Sequence, residues 1–194
     1  MRVLEAVTFD AMMARFRLEH PYDEGDEANS NDEAETHIRS AHRVLGGRWH
    51  HVRLECSEVL GVVLPWHLGE DGGVELIPRT GLTVEAAASR LAGLGASYAE
   101  TNPLCAFKLS RQSHATPRSF FLSTEAVPGE DYEGLTTRRG LIHLDGLHRM
   151  LAWQQAGRLV PGRWVNAFVA GLSPSDVRHG TRHHQDRLDV HPGG

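Results

Sequence analysis

The segment LIHLDGLHRMLAWQQAG, residues 141–157, decides the fold and concentrates most of the chemistry of this chain. Its apolar start predicts a strand over Leu141–Leu144, and the apolar spacing that follows predicts a helix over Leu147–Ala156. Gly157 ends that helix, as glycine commonly does just after a last helical turn. The turn between strand and helix, residues 145–149, therefore reads D-G-L-H-R and carries three polar side chains in five positions.

This turn has the features of an anion site. Side chains alternate along a strand, so His143 and Asp145 are expected on the same face. With Asp145 as the N-cap, the free amides of Leu147 and His148 lie just beyond it, at the positive end of the helix dipole. Gly146 has no side chain to block the approach of an anion to these amides. The sequence therefore predicts that negative charge is stabilised beside Gly146.

The residue types at the turn suit acid–base catalysis, and four catalytic residues are predicted. His148 or His143 can move a proton near neutral pH, and Asp145 can orient an imidazole and stabilise its charged form. Arg149 can hold a carboxylate, a phosphate or an oxyanion, and Trp153, four residues on, can stack on its guanidinium. Structural roles also fit: a cap for Asp145, a satisfied strand histidine for His143, a surface charge for Arg149. The concentration of four polar groups favours the catalytic interpretation.

Five residues around the turn are predicted to bind the substrate: Gly146, Trp153, Lys108, Arg111 and Arg138. Lys108 and Arg111 lie on or beside a strand predicted at Phe107–Leu109, and Arg138 precedes the strand of the turn. Each of these cations can face the expected anion, although such side chains are more often solvated charges.

Metal ligation is the alternative for the same histidines. His143, Asp145 and His148 are of types that bind zinc, iron or manganese, but their spacing across a strand-to-helix turn is not diagnostic. Cys105 has no neighbouring histidine in the sequence, and we interpret it as structural. The tail contains a further group of histidines in a polar terminus: His179, His183, His184 and His191. The sequence therefore predicts no metal site.

Composition limits the class of protein. The 194 residues are 40% hydrophobic and 23% charged, as in ordinary soluble proteins, and the formal net charge is −5. This acidic balance disfavours binding to nucleic acid or anionic lipid. The longest apolar stretch, VLGVVLPW, is too short to span a bilayer, and the first residues lack a signal-peptide core. With two cysteines and no CxxC pair, we expect a cytoplasmic protein that binds a small-molecule substrate. The oligomeric state stays open.

A single α+β domain is predicted over residues 1–194, with a small mixed sheet and flanking helices. The first part contains a helix over 9–19 after Thr8, a short helix with Ile38 and Ala41 on one face, and a strand from Val52 to Cys56. We expect residues 1–80 to supply extra helices and a strand that serve as a lid or as part of a pocket.

Residues 83–170 are predicted to form the core. A capped helix starts at Thr83 and ends near Gly93 or Gly95, and three strands are expected at Ser119–Leu122, Leu141–Leu144 and Trp164–Val169. The helix between the last two strands is long enough for a crossover, which favours parallel pairing. Other segments are predicted as an acidic loop over 23–35, a turn at 70–73, a helix start at Ser173 and a frayed tail over 178–194.

The stretch from Leu141 to Gly171 resembles the strand, DGxHR turn, helix and strand of the ParB/sulfiredoxin-like superfamily. The motif is matched directly by four residues: Asp145, Gly146, His148 and Arg149. Small residues of its helix are matched by Ala152 and Gly157, and its next strand by Val165–Val169. With the helix from Thr83 and the strand near Phe120 in the expected order, the resemblance covers about residues 83–170. It implies a ParB/sulfiredoxin-like core whose DGxHR turn holds nucleotide phosphates.

The chain departs from this superfamily in two respects. Sulfiredoxins have a catalytic cysteine inside the motif where this chain has Leu147, so sulfinic-acid reduction is not expected. Partition proteins continue with a helix-turn-helix region, for which the residues after the motif leave no room. The superfamily also includes free-serine kinases, which imply ATP- or ADP-dependent phosphoryl transfer with magnesium as an alternative.

Three functions are therefore left open. The first is a cofactor-independent enzyme that uses acid–base chemistry at the turn for dehydration followed by addition or cyclisation, in specialised-metabolite biosynthesis. The second is phosphoryl transfer from ATP or ADP, with magnesium, to a small hydroxylated substrate. The third is a non-catalytic nucleotide or metabolite sensor. All three place a ligand against residues 145–149.

Overall fold

The computed structural model of the chain describes residues 1–21, 31–69 and 73–177. The acidic loop predicted over 23–35 and the turn predicted at 70–73 lie partly outside these ranges, and the tail over 178–194 lies wholly outside them. Within the described ranges, no helix combines the length and the apolar character that crossing a bilayer requires.

Helices in the described part of the chain span α1 (Phe9–Glu19), α2 (Asn31–Val44), α3 (Cys56–Leu60), α4 (Val84–Leu94), α5 (Ala96–Thr101), α6 (Pro103–His114), α7 (Glu130–Glu133) and α8 (Leu147–Gln155). Thr8 and Thr83 cap α1 and α4, since each side-chain oxygen accepts a hydrogen bond from a first-turn amide. Ser173 starts a last helical turn over 174–177 in the same way. These three helix starts confirm the capping residues that the sequence predicts.

The strands are β1 (Arg2–Val7), β2 (Trp49–Glu55), β3 (Val63–Leu64), β4 (Leu82–Thr83), β5 (Phe120–Glu125), β6 (Arg139–Asp145) and β7 (Trp164–Ala170). They form one sheet in the order β1-β2-β7-β5-β6-β3-β4. The pairs β5–β7 and β3–β6 are parallel and the other neighbours are antiparallel. The predicted α+β fold with a mixed sheet and flanking helices is therefore confirmed, whereas its relation to ParB/sulfiredoxin-like proteins stays a prediction.

Helices cover both faces of this sheet. On one face α4, α5, α6 and α8 pack against alternate strand residues such as Phe120 and Leu122. On the other face, α1 and α2 pack against the strand residues that point the opposite way, such as Phe121 of β5, and against Ile142 and Leu144 of β6. Because side chains alternate along a strand, each central strand contributes to two cores. The carboxyl end of β6 therefore lies between helices of both layers.

Three predicted elements are wrong. Phe107–Leu109 belongs to α6 rather than to a strand, because Cys105, Lys108 and Leu109 form a buried face with helical spacing. Asp32, Glu33 and Glu35 begin α2 rather than continuing an acidic loop. The segments around α8 do not pair: β5 lies between β6 and β7, antiparallel to the first and parallel to the second.

Candidate active site

A cavity of about 470 Å³ lies where β6 ends and α8 begins, a volume typical of small-molecule sites. It is lined from both helical layers, because the end of α1 and the start of α2 reach it from one side and α6 from the other. Seven of the nine predicted site residues line it: Lys108, Arg111, His143, Asp145, Gly146, His148 and Arg149. The turn at residues 145–149 is therefore part of a cavity, as the sequence suggested.

His20, the residue after α1, forms a group of polar contacts in the cavity with Asp145 and Arg149. Its Nδ1 lies 2.9 Å from the carbonyl oxygen of Phe16, which can only accept, so Nδ1 carries a proton. Its Nε2 lies 2.9 Å from Arg149 Nη2 and 3.2 Å from a carboxylate oxygen of Asp145. A neutral His20 accepts a hydrogen bond from Arg149 through Nε2, and a protonated His20 donates one to Asp145. Nε2 therefore has a hydrogen-bond partner in either protonation state.

Asp145 is held as a carboxylate. Burial alone raises its pKa, but the hydrogen bond with His20 and the charge of Arg149 outweigh burial and hold the pKa well below the usual range of an aspartate. Arg149 Nη2 lies 3.5 Å from the same oxygen. Burial lowers the pKa of Arg149, and the charge of Asp145 opposes that change. The pair therefore places both an anion and a cation beside the His20 ring.

A chain of buried contacts fixes His20 at this place. The carboxylate of Glu19 accepts hydrogen bonds from the Ser119 amide at 2.7 Å and from its hydroxyl at 3.1 Å. The carbonyl of Ser119 accepts one from Arg149 Nη1 at 2.5 Å. The His20 ring also stacks on Phe16, with 4.6 Å between ring centroids. The end of α1 is thereby attached to the start of β5 and to α8.

A second histidine–carboxylate pair lines the same cavity. His37 of α2 has Nε2 3.7 Å from a carboxylate oxygen of Asp131 in α7. The His37 ring lies edge-on against Tyr132, with 5.0 Å between centroids. The two pairs, His20–Asp145 and His37–Asp131, are called the His–Asp pairs below.

His143 has a structural contact instead of a catalytic one. Its Nε2 accepts a hydrogen bond from the Leu147 amide at 2.9 Å, which caps the start of α8. Burial lowers its pKa to about 3, although Asp145 acts in the opposite direction, so the ring is neutral at physiological pH. Gly146, not Asp145, is the N-cap residue, and its left-handed φ of 105° explains the glycine. The predicted cap was therefore wrong, and one of the two amides expected to hold an anion is already bonded.

Two predicted substrate-binding residues do not line the cavity. Trp153 packs against Phe120 and lies under the guanidinium of Arg158, 4.8 Å from its ring centroid. The predicted stack with Arg149 is wrong, since Arg149 lies over Phe120 instead, at 5.7 Å. Arg138 donates hydrogen bonds to the carbonyls of Tyr132 and Glu133. Both residues support the scaffold rather than the site.

His148 belongs to a different group from the one predicted. With His67 and Cys105 it forms a set, called the thiol cluster below, whose ligand atoms all lie within 4.8 Å of one another. Cys105 Sγ lies 3.4 Å from His67 Nε2. The expectation that Cys105 lacks a neighbouring histidine was therefore wrong, because that histidine lies 38 residues away in the sequence. His67 and His148 line the cavity, whereas Cys105 is fully buried behind it.

Positive charge also lines the cavity. Lys108 and Arg111 lie one turn apart on α6, and Arg118 precedes β5. Lys108 is buried and Arg111 is exposed. These side chains suit a carboxylate or phosphate group on a bound molecule.

The chain matches DUF6309, a family of unknown function, over residues 1–187. The chain belongs to the DUF6309 family. No curated protein and no solved structure matches it significantly.

Four site residues of this DUF6309 chain could not be read from its sequence: His20, His37, His67 and Asp131. His20 contacts Arg149 across 129 positions of the chain, and no local motif marks such a contact. The count of 13 histidines is the one feature that indicated more imidazole chemistry than the turn alone contains.

Proposed function

We propose that the protein is an enzyme that transforms a small anionic organic molecule by proton transfer inside the cavity. The observation that carries this proposal is the buried group of His20, Asp145 and Arg149, in which Nε2 of the imidazole has one partner for each protonation state. A histidine ordered in this way can serve as a general base. The carboxylate of Asp145 then stabilises the imidazolium that forms.

Dehydration is the reaction that the two His–Asp pairs suit best. Nε2 of the neutral His20 takes a proton from a carbon of the substrate. The electron pair of the broken C–H bond then forms a carbon–carbon double bond. The C–O bond to a neighbouring hydroxyl breaks, and His37, protonated beside Asp131, supplies the proton that lets the hydroxyl leave as water. Addition or ring closure follows when an N–H or O–H nucleophile of the substrate adds to the double bond. His37, now neutral, takes the proton of the nucleophile, and His20 returns its proton to carbon.

The cations of the cavity suit the anionic part of such a substrate. Lys108 and Arg111 of α6 line it, and so does Arg118, the residue before Ser119. A carboxylate held there fixes the position of the neighbouring carbons, and correct placement is a large part of enzymatic rate enhancement. We propose a specialised-metabolite pathway as the setting and the cytoplasm as the compartment, which agrees with Cys56 and Cys105 both being reduced cysteines.

Phosphoryl transfer from ATP or ADP is the second candidate function. The same cations favour it, and Glu33, His37 and Asp131 form a cluster of the type that can hold a divalent ion. The hydrogen bond from the Leu147 amide to His143 counts against it, since that amide was expected to contact phosphate.

The test is a comparison of reaction mixtures. The full chain is incubated with a panel of small hydroxy acids and phosphorylated sugars, and separately with ATP or ADP and magnesium, and the mixtures are analysed by mass spectrometry. We expect at least one hydroxy acid to lose the mass of water. His20→Gln should abolish this reaction, whereas His51→Gln, on β2 beside Glu5, should not change it.

Three results would overturn the proposal. Conversion that persists in His20→Gln would show that this imidazole is not the base. Consumption of ATP or ADP with transfer of phosphate would favour the second candidate. Binding of panel members, seen as a raised melting temperature without any conversion, would favour a sensor.

A further inference from the structure

We propose that the thiol cluster, His67, Cys105 and His148, is a binding site for zinc or a similar divalent transition ion in the wall of the cavity. This inference is separate from the acid–base proposal, because metal binding can be measured without a substrate. The cluster contains one thiol and two imidazoles, the ligand types that zinc prefers among biological donors.

The distances agree with tetrahedral coordination. Bonds of about 2.3 Å to sulfur and about 2.0–2.1 Å to nitrogen, at a tetrahedral angle, place sulfur and nitrogen about 3.5 Å apart. Cys105 Sγ and His67 Nε2 are separated by 3.4 Å. The third ligand atom, on His148, lies within 4.8 Å of both. The rings of His67 and His148 are 5.1 Å apart between centroids and nearly perpendicular, at 82°. Two imidazoles can approach one ion in that arrangement without a clash.

The surrounding backbone fixes the ligands before any ion binds. His67 is held by hydrogen bonds in both directions with Ile77: its amide donates at 3.0 Å and its carbonyl accepts at 3.2 Å. Asn102, which is fully buried, has a side-chain amide that donates to the carbonyls of Leu68 and Val74 at 3.1 Å each. Asn102 immediately precedes α6, in which Cys105 occupies the first turn. One buried side chain thus connects the segment of His67 to the helix of Cys105.

The cluster supplies three ligands and leaves room for a fourth on the side of the cavity. Structural zinc sites are closed by four protein ligands, whereas catalytic sites keep one position for water or substrate. His67 and His148 line the cavity and Cys105 lies behind them. An ion held there would offer a Lewis acid to a molecule bound between the cluster and the His–Asp pairs.

Two other groups must be separated from this site in an experiment. Glu33, His37 and Asp131 form a second candidate cluster at the same cavity, and its carboxylates favour harder ions. The histidines at positions 179, 183, 184 and 191 lie outside the described residues and can bind metal on their own. A variant with all four of these replaced by asparagine, and a Glu33→Gln variant, serve as controls.

The experiment uses the full-length chain without an affinity tag. Purified protein is stripped with a chelator, loaded with zinc, desalted and analysed for metal content by mass spectrometry. Zinc affinity is measured by competition with a chromogenic chelator, and cobalt(II) loading reports a thiolate ligand through its charge-transfer band. We expect one zinc per chain and a cobalt–thiolate band in the wild type, the tail variant and Glu33→Gln. Cys105→Ala, His67→Asn and His148→Asn should each weaken zinc binding by at least about 100-fold, more than loss of an outer contact costs.

X-ray absorption of the zinc-loaded wild type needs no variant, and so it decides the question even if Cys105→Ala fails to fold. One sulfur and two nitrogen ligands from the protein support the site. A first shell without sulfur overturns the proposal, and so does stoichiometric zinc binding by a folded Cys105→Ala variant. Loss of the bound zinc in the tail variant would show adventitious binding only, which also overturns it.

Discussion

The His–Asp pairs and the thiol cluster both contain histidines that line one cavity, but these histidines have different neighbours. In the first group each imidazole lies beside a carboxylate oxygen, at 3.2 Å for His20 and 3.7 Å for His37, an arrangement that suits proton transfer. In the second, two imidazoles face a thiol, a set that suits a metal ion. The comparison shows that the partner of a histidine, rather than its presence in a pocket, decides which chemistry it can perform.

The largest expected effect is a loss of activity without a loss of zinc, and it distinguishes the His–Asp pairs from the thiol cluster. His20→Gln and Asp145→Asn should lower the rate at which the hydroxy acid is dehydrated by about 10²–10⁴-fold, the usual contribution of a general base. Neither variant should change the zinc content, because neither residue belongs to the thiol cluster. Both quantities are measured on the same preparation. Loss of zinc in either variant would mean that the two groups are not independent.

The next effect concerns stability, and it tests the ion pair between Arg149 and Asp145. Arg149→Met should lower the free energy of unfolding by about 3–5 kcal/mol, because it removes the buried guanidinium that pairs with the partly buried carboxylate of Asp145. Arg163→Met, at an exposed position, should change it by no more than about 0.5 kcal/mol. Chemical denaturation measures both. Adding Asp145→Asn to Arg149→Met should recover part of the loss, and a purely additive double variant would contradict the pairing.

A smaller effect on stability is expected at Gly146, the residue that joins β6 to α8. An alanine there must adopt a left-handed φ of 105°, and its Cβ would lie 2.8 Å from Phe120 Cδ1. Gly146→Ala should therefore cost about 1–3 kcal/mol of stability. Gly93→Ala, within α4 and facing open space, should instead stabilise by up to about 1 kcal/mol. Equal effects in thermal melts would contradict this account of the turn.

The last effect is on the pH dependence of stability, and it concerns His143, whose imidazole belongs to neither group. Its pKa is about 3 in the folded chain and about 6.5 when unfolded, so between these values the unfolded state binds one more proton. Stability therefore falls as pH decreases, by about 1.4 kcal/mol per pH unit from this residue. His143→Gln, whose amide oxygen can still accept the Leu147 hydrogen bond, should remove that slope between about pH 6 and about pH 4.5. An unchanged slope would show that His143 is charged in the folded protein.

Local sequence patterns predicted much of the fold because they report local energetics. Threonines before the first turn and apolar spacing identified α1 and α4, alternation identified much of β2, and an apolar run identified the strand before Asp145. The same patterns failed where non-local packing decides. FKL at 107–109 alternates like a strand, yet the longer buried face of α6 makes it helical. The insertion of β5 between β6 and β7 leaves no trace in the segment that joins them.

The candidate site divides in the same way. Residues within the turn, Asp145, His148 and Arg149, were predicted because they are adjacent in the chain. Their partners were not predicted. The Glu19–Ser119 contact holds His20 near Arg149, and the buried side-chain amide of Asn102 connects the segment of His67 to the helix of Cys105. With those partners, the general base that we propose is His20 rather than His148 or His143, and His148 lies near a thiol.

The most direct test of the central claim is the protonation state of the two nitrogens of His20, read from a long-range proton–nitrogen NMR spectrum of the wild-type chain. We expect the neutral ring to carry its proton on Nδ1, bonded to the Phe16 carbonyl, and to leave Nε2 unprotonated and facing Arg149. A neutral ring protonated on Nε2 would contradict the account, because that nitrogen would then have no lone pair with which to accept a proton from a substrate.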